Sequence, residues 1–126
     1  GGVVGVGGGR VGWAERRRGR CCPPRASSCV LAAGRDAQGQ RFEMIILPEP
    51  YETRLTAEDF VASYVNYYVC NGAVIAAQFG DGAADAKAKE MLSELYPERD
   101  IVMLNVDPIG ECGGGIHCAT QQQPKI

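Results

Sequence analysis

The sequence predicts an α/β fold with a mixed sheet, and three observations predict it. FEMIIL (Phe42–Leu47) and IVMLNV (Ile101–Val106) are short apolar runs with the composition of buried strands. Asn71-Gly72 lies between two strand-like runs, and this dipeptide favours a tight hairpin because both residues accept positive φ. Between the hairpin and the last run, apolar residues recur at helical spacing.

Taken in order, FEMIIL reads as the first strand of the domain. PEPYETRLTAED (Pro48–Asp59) follows as a polar loop with two prolines. YVNYYVC (Tyr64–Cys70) is aromatic and β-branched, so a strand is expected, with Tyr64, Asn66 and Tyr68 on one face. AVIAAQ (Ala73–Gln78) is the return strand of the hairpin. Asp81 can then cap a helix whose apolar stripe is Ala84, Ala88, Met91, Leu92 and Leu95, and Pro97 ends it. Lys87, Lys89, Glu90 and Glu94 fall mostly on the opposite, wet side. IVMLNV is expected to be a buried strand, followed by a short loop at 107–112. The expected order is β–β–β–α–β, without an internal repeat.

Residues 1–29 have a different texture. Gly, Arg and Pro dominate, and no helical or strand period is evident. A disordered Gly/Arg-rich tail is expected there, unrelated to the domain at 30–126, because so little apolar surface cannot offset the entropy of ordering. A basic RNA-contacting arm is the sharper alternative, and a short one. GVGGG (Gly5–Gly9) lacks the GK[ST] continuation of a phosphate loop.

Net charge is −2 over 126 residues, which argues against a general nucleic-acid or membrane-surface role. No apolar run of about 18 residues exists to span a bilayer. The N-terminus lacks a compact apolar core of the secretory type, so the six cysteines are read as reduced thiols in a cytoplasmic or organellar protein. Cys21 and Cys22 are adjacent, which makes mutual bonding or chelation awkward.

The chemistry concentrates in GGGIHCATQQQP (Gly113–Pro124). Gly113, Gly114 and Gly115 present unobstructed amides and permit close approach. Cys118 is a candidate thiolate nucleophile, and an inert thiol is the plain alternative. His117 is the chain's single histidine. In extended backbone it and Cys118 would point to opposite faces, so it is not expected to be the base for that thiol. A structural, substrate-lining or core role is expected instead. Zinc bound by Cys112, His117, Cys118 and a fourth ligand such as Cys70 matches no common spacing, and no metal or cofactor is expected.

SYVNYYVCNGAVIAAQFGD (Ser63–Asp81), the helix and strand after it, and GGGIHCATQQQP together resemble the C-terminal part of agmatine deiminases. These belong to the guanidino-group-modifying (pentein) superfamily, alongside bacterial-type peptidylarginine deiminases. The resemblance runs from about Val30 to Pro124 and includes LPEP (Leu47–Pro50). It implies about one ββαβ blade of a five-bladed α/β propeller, and hence a fragment. It implies deimination of agmatine to N-carbamoylputrescine and ammonia, a step of putrescine and polyamine metabolism, through a covalent amidino-cysteine on Cys118. Gly113, Gly114, Gly115 and His117 would form the wall around the nucleophile, and Asn66 would be structural or site-lining. Tyr67 stands where the family more usually has Phe. The family's clamping carboxylates and catalytic histidine come from other blades, so the isolated chain is expected to be inactive. A peptidylarginine-type activity is the alternative, as is a remnant that self-associates through exposed blade faces.

Overall fold

In the computed structural model, residues 3–6, 10–14, 33–57 and 59–123 are described. They form two three-stranded sheets. The first contains β1 (Val3–Val6), β2 (Arg10–Ala14) and β3 (Glu43–Leu47), in that order. β1 and β2 are antiparallel, and β2 and β3 are parallel, with Val11 opposite Met44 and Trp13 opposite Ile46.

Residues 3–6 and 10–14, where composition shows no strand period, form two strands of this sheet. The valines of β1, with Val11 and Trp13 of β2, are strong strand formers. β1 pairs with its neighbour β2, and β2 pairs in turn with β3 from far along the chain, a partner that local composition does not reveal. The cluster from Arg16 to Arg25 and the Cys21-Cys22 pair lie outside the described residues.

The second sheet contains β4 (Tyr68–Cys70), β5 (Ala73–Gln78) and β6 (Asp100–Asn105), with α1 (Gly82–Leu95) between the last two. β4 and β5 form the expected hairpin, antiparallel with Cys70 opposite Ala73. Gly72 supplies the turn with φ +77. β5 and β6 are parallel, with Val74 opposite Ile101 and Ala76 opposite Met103. The unit is therefore ββαβ, and both sheets are mixed.

α1 is bounded as expected. The Asp81 carboxylate accepts from Ala84 N–H at 3.0 Å, and the helix ends at Tyr96, before Pro97. Ala84, Ala88 and Leu92 are buried, while Met91 and Leu95 pack partly against the same core. Leu47, Tyr64, Val65, Tyr67, Val74, Ala76 and Phe79 complete its centre. Truncating a fully buried leucine such as Leu92 to alanine would cost about 2–5 kcal/mol.

Three expectations are corrected. The strand before Asn71 begins at Tyr68, because the chain turns at 63–66, where Asn66 N–H donates to Ser63 O at 3.2 Å. Tyr64, Asn66 and Tyr68 thus do not share a strand face. Buried phenols hold this turn instead. Tyr64 OH donates to Asp85 at 2.6 Å, and Tyr67 OH meets Tyr96 OH at 3.2 Å. The segment after β6 is not all loop: α2 (Asp107–Gly110) is a single helical turn with Pro108 near its start. Finally, β6 is buried on one side only. Val102 and Leu104 are exposed, whereas Ile101 and Met103 pack against the core.

Candidate active site

The segment before β4 is tied across the C-terminal end of β5, and this brings Asn66 to the glycine run. Asp81 accepts from Tyr51 N–H at 2.9 Å. Arg54 N–H donates to Phe79 O at 3.1 Å, and the Arg54 guanidinium donates to Gln78 O at 2.5 Å. The same guanidinium grips Asp107 through Nε (2.6 Å) and Nη2 (3.0 Å). Asp107 is thereby held below the usual carboxylate range, first by the hydrogen bond from Arg54 and then by its charge. Asp85 accepts from Tyr64 OH, Phe79 N–H and Gly80 N–H, which ties the start of α1 to the aromatic core.

Two glycines then receive the side chains of this segment. A Cβ on Gly110 would collide with the Phe60 ring. A Cβ on Gly115 would overlap the Asn66 amide, with Asn66 Oδ1 only 2.9 Å away. The room left by Gly115 is therefore filled by Asn66. Gly113 has φ +74, a backbone angle that favours glycine, and it turns the chain out of α2. Gly114 lies beside Cys118, whose Cβ would be 3.8 Å from an added methyl.

Ile116 is buried and anchors the next turn in the core. Ala119 N–H bonds back to Gly115 O at 3.1 Å, and Thr120 Oγ1 donates to Ile116 O at 2.9 Å. Residues 116–119 are thus a helical turn and not the extended backbone expected from the sequence. Alternating strand faces therefore do not separate His117 from Cys118, and on a helical turn successive positions do not face each other. His117 is exposed, which removes the core role considered for it. Cys118 is exposed as well.

Asn66 joins the two. Its Oδ1 accepts from the backbone N–H of His117 at 2.7 Å, and its Nδ2 donates to Cys118 Sγ at 3.3 Å. The structure therefore brings Asn66, Gly114, Gly115, His117 N–H and Cys118 together, while Gly113 is exposed and turns the chain ahead of them. Arg54 and Asp107 brace this arrangement from behind and were not singled out as partners by sequence. Nothing in a polar loop marks Arg54 as the mate of Asp107. Cys70, Cys112 and Cys118 are free thiols. Among the described residues, no group of three or more His, Cys, Asp and Glu side chains converges as a metal site.

A thiol held to solvent on a short turn, with an amide donor at its sulfur, defines the class: an α/β protein presenting a candidate nucleophilic cysteine. Residues 23–124 match the Porphyromonas-type peptidyl-arginine deiminase family, and the chain belongs to that family. The match begins inside the stretch that composition had set apart as a tail. The chain is 41% identical over 110 residues to the agmatine deiminase of Medicago truncatula, covering 72% of this chain and 29% of that protein. It is 35% identical over 117 residues to the agmatine deiminase of Pseudomonas putida, covering 79% and 32%. The structure of the Enterococcus faecalis agmatine deiminase superposes with a TM-score of 0.75 at 27% identity, over 93% of this chain and 37% of that one. That of the C. jejuni agmatine deiminase shares the fold, with a TM-score of 0.74 at 20% identity, over 94% and 36%. The chain thus spans under two-fifths of each of these proteins. The ββαβ unit is of the pentein type that the resemblance implied.

Proposed function

We propose that this chain carries the nucleophile-bearing part of an agmatine deiminase-type hydrolase. The observation that carries the reading is the placement of Cys118. It is an exposed, reduced thiol on the turn after Gly113–Gly115, inside the segment that matches the family. The relatives named as agmatine deiminases support agmatine, a small guanidino compound, as substrate.

In the proposed reaction the Cys118 thiolate attacks the guanidinium carbon. A C–N bond breaks, ammonia leaves with the proton it needs, and an amidino-cysteine remains. Water then attacks the same carbon, the C–S bond breaks, and N-carbamoylputrescine, the thiol and a proton are released. A guanidinium is a delocalised cation of very high pKa and a poor electrophile. It needs carboxylates to hold it and a group to move protons. The side-chain hydrogen bond to the Cys118 sulfur comes from an amide, and the chain has a single histidine. Turnover on this reading draws on groups supplied by the remainder of a complete enzyme. Gly113, Gly114 and the exposed His117 ring line the approach to the sulfur. The thiol works in its reduced form, which suits the cytosol or an organelle.

The test replaces the matching segment of the Pseudomonas putida enzyme with residues 30–126 of this chain. The chimaera should release ammonia and N-carbamoylputrescine from agmatine, Cys118→Ser should abolish release, and the chain alone should release none. A folded chimaera without turnover, or turnover that survives Cys118→Ser, contradicts the proposal. The family's own description favours a second reading, a peptidylarginine substrate. Preferential turnover of a blocked arginine peptide over agmatine would select it. The exposed apolar residues of β6 support a further property, self-association of the chain.

A further inference from the structure

We infer that Asn66 is the positioning residue of the Cys118 sulfur, fixing its direction and presenting it with a donor; this rests on the reading of Cys118 as the nucleophile. A backbone N–H can only donate, so the His117 N–H at 2.7 Å fixes which end of the Asn66 amide is oxygen. The NH2 end must then face Cys118 Sγ, at 3.3 Å, and the sulfur is the acceptor. A donor held there orients the sulfur and sets the direction from which it meets carbon.

The amide is not free to turn away. Asn66 N–H is bonded to Ser63 O at 3.2 Å, and the residues around it, Tyr64, Val65 and Tyr67, are fully buried. The absent side chain of Gly115 is what lets the amide reach the turn, since a Cβ there would overlap it. One side chain therefore locks the backbone of residue 117 and the sulfur of residue 118 in one geometry. Gly115 is needed for that contact, beyond any flexibility it gives the chain.

Asn66→Asp separates a positioning role from a structural one. The aspartate is isosteric and still accepts from His117 N–H, but it sets a carboxylate oxygen against the sulfur in place of a donor. The experiment alkylates the full chain with iodoacetamide near neutral pH and reads each cysteine by peptide mass. Cys112, which is exposed, serves as the internal reference. The Cys118-to-Cys112 rate ratio should fall roughly tenfold or more, the scale of one charge-assisted hydrogen bond. Circular dichroism should be unchanged. An unchanged ratio in folded Asn66→Asp means the amide serves the turn alone, and the inference is overturned. Gly115→Ala is the second variant: displacing the amide should lower the same ratio, and an unchanged ratio there overturns the inference equally. If Asn66→Asp unfolds, half-buried Cys70 will become as reactive as Cys112, and Gly115→Ala decides. Iodoacetamide requires no guanidine recognition, so this result stands or falls apart from the agmatine reading, which the chimaera tests.

Discussion

Arg54 holds Asp107 through two parallel N–H···O bonds of 2.6 and 3.0 Å, joining residues 53 positions apart. The pair pins the loop before the Asn66 turn to the first residue of α2, whose end leads into the glycine run. Phe60 against Gly110 and Asn66 against Gly115 continue the same seam.

The first prediction concerns acid. The Asp107 carboxyl is held low by Arg54, so its folded pKa lies below its unfolded one. The stability this contributes is present above about pH 4 and is lost as pH falls through the lower, folded value. Asp107→Asn should cost about 1 kcal/mol at neutral pH, since the pair is partly open to solvent. It should also flatten the acid limb of a urea-denaturation series. An acid limb identical to that of the parent would remove the clamp from the account.

A second prediction concerns the buried phenols. Burial, then the hydrogen bond to Asp85, raises the Tyr64 pKa far above its usual value, and burial followed by Tyr96 does the same for Tyr67. Both groups resist ionisation in the folded state. Their stabilising contribution is complete below about pH 10 and fades as pH rises toward the raised values. Tyr64→Phe should destabilise by about 1.5 kcal/mol at neutral pH by removing a charge-assisted hydrogen bond. Phenolate absorbance across an alkaline titration should rise together with unfolding. A full five-tyrosine signal from protein that is still folded would refute the assignment.

Gly110→Ala is the third. Its Cβ would meet the Phe60 ring, which stacks edge-on against Phe79 at 5.9 Å. Overpacking there should cost about 1–3 kcal/mol in thermal or chemical unfolding. Gly82→Ala faces open space and serves as the control. Equal stability of the two variants would mean that the seam is looser than described.

The fourth follows from β6. Leu104 is 44% exposed and Val102 37% exposed on the side away from the core. Light scattering of the chain should show concentration-dependent association, reduced by the double change Val102→Thr, Leu104→Thr. A clean monomer at all concentrations would contradict the proposed self-association.

The elements that sequence made legible are those whose signal is local. Asp81, the stripe through Leu92 and the stop at Pro97 define a helix within one window, and Asn71-Gly72 defines a hairpin by backbone preference alone. Gly113 to Cys118 stood out because a nucleophile after three glycines is chemically unusual. What sequence did not make legible is non-local. β2 is paired both with β1 beside it and with β3 from far along the chain. Tyr and Val favour strands and so suggest one through Asn66, yet the chain turns at 63–66, with the buried phenols of Tyr64 and Tyr67 bonding to Asp85 and Tyr96. The turn at 116–119 is set by Ile116 entering the core, and a polar stretch of Cys, Thr and Gln gives no period from which to read it. Arg54 and Asp107 are ordinary charges until folding brings them together.

The most direct measurement treats the chimaera with chloroacetamidine, a planar amidinium that alkylates thiols, with and without agmatine. The account predicts that the adduct forms at Cys118 ahead of Cys112 and Cys70, and that agmatine slows it. An adduct that forms elsewhere first, or that is indifferent to agmatine, would contradict the assignment of this thiol as the nucleophile for a guanidino carbon.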